Sequence, residues 1–188
     1  MKNKKGFYLT DILIKISIIF LLLDIGFIYF KKHSEKKEIN EAKIKICDIF
    51  KTYATDALNR EKKYIINLNY NTKEIQVLKN SLKEIERVSL PENLYYTTIF
   101  KTGDTDNKVQ TLFTATITRN GNITPSFSIY IFGYDKIAKY RISFYGFQVI
   151  KFMQINIYKN IKDKKATYEN ISFYHKYWDI HKDKWKKE

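Results

Sequence analysis

Residues 4–20 read KKGFYLTDILIKISIIF, and two side chains within them decide how the chain is read. Asp11 and Lys15 stand near the start of a run that is otherwise apolar from residue 7 to residue 30. A plain membrane anchor has no use for them, because a charge inside a membrane span costs several kcal/mol unless it is paired or functional. As a helix, 24 such residues reach roughly 36 Å, enough to cross about 30 Å of hydrocarbon with some tilt. Lys2, Lys4 and Lys5 precede the run, and Lys31, Lys32, Lys36 and Lys37 follow it. Lysine on both sides leaves orientation undecided by charge alone. The run is too long for a secretory signal, and no small-residue cleavage site follows it.

The junction Lys5-Gly6-Phe7-Tyr8-Leu9-Thr10-Asp11 resembles the leader junction of type IV pilins and type II secretion pseudopilins. The shared pattern is a short basic leader ending in Gly, then Phe, a Leu, and an acid at the fifth position of the mature chain. The resemblance implies cleavage between Gly6 and Phe7 by a prepilin peptidase and methylation of the new amine on Phe7. It implies that Asp11 neutralises the terminal amine of an adjacent subunit. Physically, a carboxylate in an apolar setting needs a partner, and a positive terminus is a natural one. The chain departs from the pattern in carrying Asp where the family has Glu, and in lacking any proline before Pro91. Lys15, four residues on, lies on the same helix face as Asp11 and can pair with it. An ordinary anchor in which the two neutralise each other is the plainer alternative. Asp24, the other acid in the run, has no partner nearby in sequence.

Beyond the apolar run, Ile39, Ala42, Ile46, Ile49, Phe50, Tyr53, Ala54 and Ala57 recur in steps of three and four, while Lys43, Lys45, Asp48, Lys51 and Asp56 take the other face. No Gly or Pro interrupts residues 31–63. One helix from about residue 9 to residue 60, roughly 75 Å long, is expected, apolar all round in its first half and striped in its second. The lone Cys47 reads as a small buried residue on that helix.

After residue 63 the period falls to two. Strands are expected at 64–70 and 74–78 around Asn71-Thr72-Lys73, then at 94–100, 109–118, 126–132, 138–144 and 147–158; residues 81–88 read equally as a short helix or a polar strand. Asp104-Thr105-Asp106-Asn107 reads as a turn. The order of the Asn120-Gly121 turn, the strands around Ser128-Ile129-Tyr130-Ile131 and Lys139-Tyr140-Arg141-Ile142-Ser143, and Gly146 is similar to the sheet of H-type minor pseudopilins and related minor pilins. The fold class expected is therefore α+β with a type IV pilin-like layout: a long helix, half transmembrane and half amphipathic, packed on an antiparallel sheet. Its divisions are a leader at 1–6, a membrane helix at 7–30, an amphipathic continuation at 31–60, a sheet domain at 61–158 and a basic, aromatic tail at 159–188.

That tail alternates lysines with rings, the composition of a single-stranded nucleic-acid surface. Lys164, Lys165, Tyr174, Lys176, Trp178, Lys184 and Trp185 are the candidate contacts, although the tail contains no arginine. The formal charge of +14 is spread along the chain and equally suits a solvated, lysine-rich surface. His33, His175 and His181 have no metal-ligand spacing, and no phosphate loop or nucleophile elbow occurs, so neither a cofactor nor an enzymatic activity is expected. The resemblance implies a structural subunit of a type II secretion pseudopilus or a type IV pilus. Its partners would be other pilin or pseudopilin subunits, the prepilin peptidase and an inner-membrane assembly platform. It would cross the cytoplasmic membrane once, with its globular part on the periplasmic or extracellular side. A DNA-binding minor pilin and an unprocessed, signal-anchored surface protein are the alternatives.

Overall fold

The computed structural model describes residues 4–79, 83–146 and 152–188, with side chains from Thr10 onward. A long N-terminal helix precedes antiparallel β-structure. The helix, α1, runs unbroken over Lys4–Arg60. Its residues divide between two units, residues 1–37 and residues 38–188.

In the first unit the apolar side chains of α1 are open on every side, Phe27, Tyr29 and Phe30 among them. This segment is long and apolar enough to cross a membrane, and no residue of its apolar window is buried. Ser17 returns its hydroxyl to the Leu13 carbonyl at 2.8 Å, which satisfies that polar group within the helix itself.

In the second unit the helical stripe is buried as its spacing predicts, with Ala42, Ile46, Phe50, Ala54 and Ala57 fully covered. Cys47 is buried too, and loss of solvation pushes its thiol up to about 11, so it is an inert packing residue. The helix ends in a left-handed cap. Glu61 takes φ 53°, and the Lys62 amide donates to the Ala57 carbonyl at 3.2 Å, closing the last turn.

The strands are β1 (Tyr64–Asn69), β2 (Glu74–Lys79), β3 (Lys83–Ser89), β4 (Tyr95–Thr102), β5 (Thr105–Val109), β6 (Leu112–Ile117), β7 (Ile123–Thr124), β8 (Phe127–Phe132), β9 (Ala138–Tyr145), β10 (Gln154–Asn160) and β11 (Trp185–Lys187). They form two antiparallel sheets rather than the single one expected: β3-β2-β1-β6-β7, and β11-β10-β9-β8-β4-β5. The stretch at 109–118 is not one strand. It breaks at Gln110-Thr111, where the chain leaves the second sheet after β5 and enters the first at β6. The 104–107 stretch is only partly a turn. Gly103, at φ 60°, makes the hairpin tight enough for β5 to begin at Thr105 and pair back onto β4. Residues 83–89 are strand, held as the outer neighbour of β2. Residues 81–82, and the part of the expected 147–158 strand at 147–151, lie outside the described residues; β10 begins at Gln154.

One aromatic knot joins the helix to both sheets. Phe50 of α1 lies 4.4 Å from Phe144 of β9 and 5.6 Å from Phe127 of β8, ring centre to ring centre. Phe113 of β6 meets Phe127 at 4.7 Å and Phe100 of β4 at 5.3 Å. Gly121 is held where the turn before β7 meets the helix. Its φ is 69°, and a β-carbon there would come within 2.6 Å of the Ala54 carbonyl oxygen.

The middle of the second sheet is buried on both faces. Along β8 every residue is covered: Phe127, Ile129 and Ile131 face the helix side, while Tyr130 and Phe132 face outward. The outer cover is residues 159–188, which are a packed layer and not a free tail. Ala166, Ile171 and Trp185 join Ile99, Tyr130, Phe132 and Ala138 in a second core. Two short helices, α2 (Ile171–Lys176) and α3 (Trp178–His181), carry the chain across that face, and β11 then pairs with β10. The side chain of Glu188 reaches back to α1, accepting from Lys43 at 2.7 Å and from Tyr140 at 3.0 Å.

Candidate functional site

Near the start of α1, Lys15 Nζ donates to Asp11 Oδ2 at 2.8 Å, one turn apart, with 68% and 56% of the two side chains exposed. In water such a pair contributes little. Within a membrane it neutralises both charges in place. Gly6 and Phe7 fall in the first turns of the same helix, ahead of the described side chains.

The seven tail residues singled out for nucleic-acid contact separate by environment. Lys164, Lys165 and Lys176 project into solvent. Lys184 is half-buried, 3.5 Å from His181 Nδ1. Tyr174 and Trp178 are half-buried against the second core, and Trp185, only 7% exposed, belongs to it. Trp185 is therefore withdrawn from the expected stacking surface, because its ring covers the outer face of the sheet. The rings left open on α2 and just beyond it are Phe173 and Tyr177, 4.8 Å apart.

Under this cover lies a polar cluster that the sequence reading did not single out, centred on Arg141 of β9. The register sets Arg141 directly opposite Tyr130 on β8 and Tyr158 on β10. Each ring centre is 5.9 Å from the guanidinium carbon, and the Trp178 ring covers it at 4.1 Å. Three aromatic faces partly offset the loss of hydration of a cation that is only 7% exposed. Arg141 Nε donates to Ser143 Oγ at 3.0 Å and to Ser128 Oγ at 3.3 Å, and the two hydroxyls share a 2.8 Å hydrogen bond. Arg141 Nη1 is buried with no partner, and no carboxylate pairs with this arginine among the described residues. The signals available in sequence were faint: one of only four arginines, on the outward register of a strand, followed at a distance by an aromatic tail.

His175 of α2 completes the cluster, with its Nδ1 and the Tyr130 hydroxyl sharing a 2.9 Å hydrogen bond. Burial, and then the nearby Arg141 and Lys101 charges, hold its imidazole down at about 3, so it is neutral near pH 7. Unfolded, it titrates near 6.5. Below that pH the unfolded chain takes up a proton that the folded one refuses, so stability falls as pH drops from about 6.5 towards 3. Between pH 6.5 and 5.0 the native chain is expected to lose about 1.5 kcal/mol more than a His175→Gln variant. Urea titrations of both proteins at the two pH values measure the difference.

Two cavities adjoin the cluster and share Lys101, Arg141 and His175 in their walls. The smaller, about 220 Å³, is completed by Ile99, Phe100, Ser126, Phe127, Ser128, Phe144 and Tyr145. The larger, about 670 Å³, adds Asp104, Asp106 and Asp179. Comparison with known protein families, with characterised proteins and with solved structures finds no match to this chain.

Proposed function

We propose that the chain is a minor pilin or pseudopilin, made as a membrane-inserted precursor and cut after Gly6. The reading rests above all on one placement: a carboxylate, Asp11, on an otherwise apolar helix, at the fifth position after a basic leader that ends in Gly6. Two further features support it. The uncovered apolar half of α1 suits a helix that exchanges lipid for neighbouring copies, and the striped half is docked on a sheet domain. In this role the helix anchors the subunit in the cytoplasmic membrane, with the globular unit on the outer side. A prepilin peptidase exposes the Phe7 amine, an assembly platform draws the helix into the filament, and Asp11 of one subunit meets the amine of the next. The work of the protein is then structural, as part of a secretion pseudopilus or a type IV pilus.

N-terminal sequencing of the protein recovered from its native membrane tests the proposal. A methylated Phe7 at the amino terminus is the expected result. A chain that still begins with Met1 is an unprocessed, signal-anchored surface protein instead.

A further inference from the structure

We propose that the Arg141 cleft is a binding site for a small organic monocarboxylate, independently of the filament reading. A buried guanidinium without an anionic partner is an expensive thing to retain, because removing an ion from water costs several kcal/mol unless hydrogen bonds and opposite charge restore it. Here the restoration is incomplete. Trp178 covers one face of the guanidinium, the serine hydroxyls take Nε, and Nη1 is left without an acceptor. Guanidinium N–H groups point outward in the plane of the group, so a carboxylate meets them best along an edge.

The surroundings narrow the ligand. Among the described residues, the smaller cavity adds a second cation, Lys101, and no acid, while Ile99, Phe100, Phe127 and Phe144 make much of its wall apolar. At about 220 Å³ it exceeds the roughly 150 Å³ that accommodates a benzene ring, so it has room for a carboxylate on a compact apolar body. The larger cavity supplies the opposite limit. Asp104, Asp106 and Asp179 line the same cavity as the arginine, and Asp106 Oδ1 is itself buried without a partner. These three acids balance Arg141, Lys101 and Lys176 in the same wall, which leaves little positive charge for a doubly charged ligand and weighs against phosphate esters and dicarboxylates. His175 is neutral, its Nδ1 engaged by Tyr130, so it adds no charge. The cleft therefore selects one negative charge attached to a small apolar group.

Trp178 reports on occupancy, since its ring lies on Arg141 and only Trp185 shares its emission. The full-length chain in non-ionic detergent is titrated with sodium benzoate, benzamide and inorganic phosphate at constant ionic strength, with tryptophan excited alone. The proposal expects a saturable benzoate response in the millimolar range, none from benzamide, and no competition by equimolar phosphate. Arg141→Lys should abolish the response. Because that buried change can impair folding, exposed Lys101→Met serves as the second variant and should weaken benzoate at least threefold. Equal responses to benzoate and benzamide overturn the proposal, as does displacement of benzoate by phosphate. So does no saturable response in the native chain, or a benzoate affinity unchanged by Lys101→Met.

Discussion

Phe50→Ala should destabilise the globular unit by about 3–5 kcal/mol, the range for deleting a buried aromatic side chain. Phe50 has no exposed surface and touches Phe127 and Phe144, and through Phe127 it reaches Phe113 of the other sheet. The cavity left by alanine opens where helix and both sheets meet, so none of the three can close it without giving up contact with another. Denaturant unfolding of the full chain in detergent, followed by near-ultraviolet circular dichroism, measures the loss. Ile44→Ala is the control on the same helix: Ile44 is 55% exposed, and its removal should change stability by less than about 0.5 kcal/mol.

The second large effect is on assembly. In the proposed filament role, Asp11→Leu should leave the chain in the membrane and strip it from filaments by more than a hundredfold, because losing one member of a desolvated charge pair costs roughly 3–5 kcal/mol. Lys15→Leu should stay close to native. It removes only the partner within the same chain and leaves Asp11 available to an incoming amine. The contrast between the two variants carries the test, read as subunit recovered in sheared filaments against subunit in membranes. If Asp11→Leu is recovered like the native chain, no incoming amine needs the carboxylate, and the chain is an ordinary anchor.

Much of the helix and its docking was legible in the residues. Steps of three and four from Ile39 to Ala57 mark one face, and those side chains are buried because no other periodicity competes with them. The β1–β2 hairpin was equally plain. Its alternation is clean, and Asn69 Oδ1 accepts the amides of Asn71 and Thr72 at 3.0 and 3.2 Å to shape the turn. The division into two sheets was not legible. Gln110-Thr111 contains no glycine or proline, and residues on either side alternate as though one strand continued. What separates them is pairing, since β5 lies on β4 while β6 lies on β1. The short polar β5 was hidden for a related reason: Asp106 and Asn107 disfavour strand locally, and the ladder to β4 overrides them. Arg141 stayed hidden because its meaning depends on residues 159–188 folding back over it. The one hint of that cover was β8 itself, whose FSIYIF has too few polar positions for a sheet with a wet side.

The late position of that cover has a consequence during synthesis. A ribosome that has released β8 has made a strand covered on both faces in the finished fold, yet Ala166, Ile171 and Trp185 have still to emerge. For that interval Tyr130 and Phe132 face water, with the strand beside them open to other nascent chains. Chaperone demand should therefore peak in the last thirty or so codons, after most of the domain already exists.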